Sequence, residues 1–65
     1  MASTRELVVY ILEQDGRIRD WCQAQHGFTL EKARTADLTS YGDLVAEIIA
    51  DGKKSGVVSQ AQVQG

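Results

Sequence analysis

Cys22 and His26 are the residues of this chain whose types and spacing come closest to a reactive site. Four apart on a helix, they share one face, where a thiol and an imidazole act together as nucleophile and base or as two metal ligands. A structural zinc needs four ligands, usually as two close pairs, and the chain holds one cysteine and one histidine in all. A catalytic thiol also needs a concave site and donors for an oxyanion, for which no motif argues. The expected roles are therefore plain. Cys22 reads as a small core residue, and His26 as a polar residue at a helix end, where a cation is favoured.

The carboxylates Glu6, Glu13, Asp15, Asp20, Glu31, Asp37, Asp43, Glu47 and Asp51 are scattered, mostly opposite the apolar stripes or in turns. General acid–base work needs two groups held in a pocket with their pKa values pushed apart, and so short a chain has little room for one. Asp51-Gly52-Lys53-Lys54-Ser55-Gly56 has the look of a phosphate-binding loop. That motif requires a glycine where Glu47 stands, a strand before it and a helix after it, and the order here is the reverse. No catalytic, cofactor-binding or metal-binding residue is assigned, no cofactor is expected, and the chain does not read as an enzyme.

The elements that must carry these residues are bounded by length. Sixty-five residues, 43% hydrophobic and 25% charged, make one small globular domain. A net charge of −2 and a pI of about 5.1 disfavour nucleic acid and anionic membranes as partners of the whole chain. The longest apolar run, Leu7 to Leu12, is far short of the ~20 residues that span a bilayer, and Glu6 before it does not suit a cleavable signal. A single cysteine makes no internal disulfide, which points to a cytoplasmic protein.

Helical signals run through residues 1–52. Ser3 and Glu6 have capping-box spacing and open a first helix that Gly16 is expected to stop in the left-handed conformation. Leu7-Val8-Val9-Tyr10-Ile11-Leu12 is also rich in strand formers, but the caps favour helix. Arg17 to His26 forms a second helix stopped by Gly27, with Ile18, Trp21 and Cys22 as its buried side. Phe28 and Leu30 are apolar anchors, and Thr29 caps a third helix through Leu38. Thr39 or Ser40 caps a fourth, whose Tyr41, Leu44, Val45, Ile48 and Ile49 follow helical spacing up to a stop at Gly52. Residues 53–65 read as a flexible tail, with a short strand at Ser55 to Ser59 as the other reading. The expected fold is all-α, a small bundle of three to four short helices packed antiparallel.

The stretch from Gly27 through Ile49, with Gly27-Phe28-x-Leu30 and Thr39-Ser40-Tyr41-Gly42-Asp43-Leu44-Val45-x-x-Ile48, resembles the closing part of acyl carrier proteins. Those proteins carry phosphopantetheine on the serine of an Asp-Ser-Leu motif that opens the preceding helix. Here Asp15-Gly16-Arg17 opens that helix and no serine lies between Ser3 and Ser40, so the resemblance is one of helix-capping residues and does not bring the carrier function.

Six apolar residues in a row sweep beyond the stripe, about 100° wide, that one core covers. Either the first helix is central among the others, or its surplus face, Val9 and Tyr10, meets another chain. The expected function is a helical protein–protein interaction module that self-associates as a homodimer, with Val9, Tyr10, Arg17, Arg19 and Trp21 as partner-binding residues. The alternative is a helix-turn-helix nucleic-acid binder built from the second helix, the Gly27 turn and Leu30 to Leu38. Lys32 and Arg34 suit that alternative, whereas Glu31 and Asp37 repel phosphates.

Overall fold

The first helix, α1 (Thr4–Gln14), starts where the Ser3 and Glu6 spacing predicts. In the computed structural model, which describes residues 3–58, Ser3 Oγ accepts the Glu6 N–H at 3.1 Å. Its end differs from expectation. Gly16 has no positive φ and is the first residue of α2 (Gly16–His26). Asp15 forms the joint instead. Its N–H donates to the Ile11 carbonyl at 2.9 Å, and its carboxylate accepts the N–H groups of Arg17 and Ile18 at 3.0 and 3.3 Å. A short carboxylate in extended backbone satisfies two free donors of the next helix, which a glycine cannot do.

Gly27 ends α2 as expected, at φ 62°, with its N–H on the Gln23 carbonyl. Phe28 then turns into the core, and Thr29 Oγ1 accepts the Lys32 N–H to cap α3 (Leu30–Thr35). This helix stops at extended Ala36, before the expected Leu38, because Asp37 opens a separate 3-10 turn, Leu38–Tyr41. The Thr39 hydroxyl donates to the Asp37 carboxylate at 2.7 Å and the Thr39 N–H at 3.1 Å, which holds that carboxyl below its ordinary pKa. Thr39 and Ser40 are thereby drawn into the turn. Contrary to expectation neither caps α4 (Gly42–Ser55), which begins after Tyr41 with no side-chain cap.

Gly52, the expected stop, lies inside α4. The helix closes at Gly56, φ 82°, where the Gly56 N–H reaches the Lys53 carbonyl and the Val57 N–H the Gly52 carbonyl. This double closure draws Val58 into the core at 3% exposure. Residues 53–58 therefore belong to the domain rather than to a tail, and residues 55–58 form a helix end and turn rather than a strand. The remainder of the expected tail lies outside the described residues.

The fold is all-α, with four helices and no strand among the described residues. Helix α1 is its centre and packs on α2, α3 and α4. Val8, Ile11 and Leu12 are fully buried, joined by Cys22, Ala33 and Ile48 from the surrounding helices and by Phe28 from the connection between α2 and α3. No described helix is long and apolar enough to cross a membrane.

Gly52 sets how closely α4 approaches α1. A Cβ there would stand 2.7 Å from Ile11 Cδ1 and 3.0 Å from Ile11 Cγ1. Overpacking typically costs ~1–3 kcal/mol, against the ~1 kcal/mol by which alanine exceeds glycine in helix propensity. Gly52→Ala is expected to destabilise by about 1 kcal/mol net in urea unfolding. Ile11→Val removes the nearest atom, so the double variant should lose less stability than the two single changes added together.

Candidate functional site

The start of α2 and the end of α4 lie side by side and enclose an open groove of about 360 Å³. Asp15, Arg17, Ile18 and Trp21 form one wall, and Asp51, Lys54 and Ser55 the other. The helical period explains both sets. Arg17 and Trp21 are four apart, Ile18 and Trp21 three apart, and Asp51, Lys54 and Ser55 follow i, i+3, i+4, so each trio shares a face. Ile18 is buried and Trp21 half-buried, giving the groove an apolar floor, while two carboxylates and two cations ring it. Ser55 Oγ is turned back onto the Gly52 carbonyl at 3.2 Å.

Of the five residues expected to meet a partner, the groove gathers Arg17 and Trp21. Arg19 is exposed outside it, 3.7 Å from its neighbour Asp20. Val9 and Tyr10, expected to share a surplus face, part company. Val9 is partly buried against the domain's own core, and Tyr10 is 42% exposed, the one large apolar side chain so exposed among the described residues. Asp51, Lys54 and Ser55 were considered only within the rejected phosphate-binding loop and not as one helix face, because the fourth helix was expected to end at Gly52. Their i, i+3, i+4 spacing was the signal, visible only once α4 continues past that glycine.

Cys22 and His26 do not form a working pair. The thiol is fully buried, whereas the imidazole is exposed and meets the Trp21 ring edge-on, with centroids 5.2 Å apart. Burial pushes the Cys22 pKa up to about 11, and the nearby Asp51 and Glu47 carboxylates add to the rise. At neutral pH about one thiol in ten thousand is then ionised, and the thiolate is the nucleophilic form. Among the described residues no three His, Cys, Asp or Glu side chains converge so that they could hold a metal ion. A second hollow, of about 500 Å³, lies between His26 and the segment Thr39 to Leu44 at the opening of α4. Its lining holds hydroxyls and one carboxylate but no lysine or arginine.

Comparison with known protein families, curated proteins and solved structures gives no match to this chain.

The raised thiol pKa makes stability depend on alkali. Between about pH 9 and pH 11 the unfolded chain releases the Cys22 proton while the folded chain keeps it. Folded protein then binds more protons than unfolded, so this contribution is complete below pH 9 and lost as pH rises through 11. Urea unfolding across that range should show wild type losing more stability than Cys22→Ala. Parallel pH profiles for the two proteins would contradict the assignment.

Proposed function

We propose that the chain is a small helical interaction module that acts by binding another protein and that also associates with a second copy of itself. The observation that carries this reading is Trp21, half-buried in an open groove with Arg17 beside it. Tryptophan and arginine are the side chains most enriched where a few residues supply most of a binding energy, and they act best in apolar sites that exclude water. The groove offers such a floor in Ile18 and Trp21, with charges of both signs to fix orientation.

Self-association is supported by Tyr10. Burying its ring body contributes roughly 1.5–3 kcal/mol, a large share of the stability of so short a chain. A domain of this size buries only about 60% of its unfolded surface, and without disulfides a second subunit is a direct way to bury more. A two-fold arrangement would cover both Tyr10 rings at once. A cytoplasmic setting belongs to this proposal and rests on the single cysteine.

The nucleic-acid alternative keeps the helix–glycine turn–helix outline of α2 and α3. Against it stand the six-residue length of α3 and the ion pair that engages Arg34 with Glu13 at 2.8 Å. Phosphate binding would weaken steeply between low and moderate salt, whereas association through apolar surface would not.

Sedimentation equilibrium tests the proposal. A dimer is expected at micromolar concentration, with Tyr10→Glu weakening it by about tenfold or more, the equivalent of ~1.4 kcal/mol. A 7.1 kDa monomer persisting to several hundred micromolar would overturn self-association.

A further inference from the structure

We propose that residues 29–40 form a releasable strap across α1, clamped by Arg5 and Glu13, which opens while α1, α2 and α4 stay folded. The strap contains α3, whose six residues are too few to hold a helix without packing. Its backbone lies close along α1, but it brings few large apolar side chains to the core. Ala33 is its one fully buried side chain, and Leu30 and Leu38 are only partly buried.

Two polar contacts run from α1 to the strap. Arg5 Nη1 donates to the Ala33 carbonyl at 3.1 Å in a half-buried setting, and Arg34 Nη2 meets Glu13 Oε2 at 2.8 Å. The second pair is half-exposed and contributes little, so Arg5 is the principal clamp. The base of the strap is independently closed. Phe28 before it and Tyr41 after it bring their rings within 4.9 Å, tilted by 58°, and Phe28 is fully buried. Residues 29–40 can therefore leave α1 without breaking the core contact that joins their ends.

Val9 stands between the two clamping residues on α1 and is partly buried against the core. Arg5, Val9 and Glu13 follow one another at i, i+4 and i+8 along α1, so they form one stripe, and the outer two both grip α3. Tyr10, one residue along and off that stripe, is open. Release of the strap uncovers the Val9 stripe, apolar surface that the closed protein lacks.

Native-state hydrogen exchange on the whole chain, read by NMR, tests this. The amides of Ala33 and Ala36 donate to the Thr29 and Lys32 carbonyls at 3.0 and 2.8 Å and report the strap. Corrected for intrinsic rates, they should exchange about tenfold or more faster than the amides of Ile11 and Ile48, and with weak urea dependence because little surface is exposed. Arg5→Gln should accelerate Ala33 and Ala36 several-fold more than Ile11 and Ile48, and Glu13→Gln should act in the same direction to a smaller extent. If Arg5→Gln does not fold, Glu13→Gln and the wild-type rates carry the comparison. Exchange of Ala33 and Ala36 in step with Ile11 and Ile48, or a variant that shifts all four by one factor, would overturn the proposal.

Discussion

The seating of Ile11 on Gly52 is the contact on which the rest of this structure depends. A glycine in the last turn of α4 gives up helix propensity, and here the missing side chain lets the C-terminal parts of α1 and α4 close to a distance that a methyl group would block. With that approach fixed, α4 runs on to Ser55, its last turn reaches the start of α2, and the closure at Gly56 returns Val58 to the core. The second wall of the groove, Asp51, Lys54 and Ser55, stands on the stretch of α4 that this approach holds against α1. One missing Cβ thus links packing at the centre to the surface that carries the proposed function.

The ends of helices were legible wherever a side chain or a left-handed glycine acts locally. Ser3, Gly27 and Thr29 do in the fold what their types and neighbours imply. The misread positions share a cause. Gly16 and Gly52 have the composition of stops, but a glycine stops a helix only by taking positive φ, and whether it does so depends on what packs against it. Asp15 supplied a better joint than Gly16, and Ile11 needed the space at Gly52. Thr39 and Ser40 are good caps in isolation, yet Asp37 reaches Thr39 first and winds both into a 3-10 turn. Val57 and Val58 looked like scattered valines because their burial rests on a chain reversal that no periodic pattern announces.

The candidate site residues divide in the same way. Trp21 and Arg17 were recognisable by type and spacing on one helix. Their partners across the groove come from thirty or more residues away, a distance at which spacing carries no information. The apolar run of α1 posed two answers, a central helix or a free face, and the structure gives each residue its own. Val9 is partly buried against the core, and Tyr10 is left open one residue along, about 100° around the helix. The pairing of Cys22 with His26 dissolves for a similar reason, since their shared face is split between the core and solvent.

The central claim is that α1 is enclosed by the other three helices, with Ile11 lodged against Gly52. Proton–proton distances in solution test it most directly. A nuclear Overhauser spectrum of the folded protein should connect the Ile11 δ1 methyl to the Gly52 α protons with a strong cross-peak. Absence of that cross-peak in a well-dispersed spectrum, with Gly52 showing the shifts of a solvent-exposed helix end, would contradict the account.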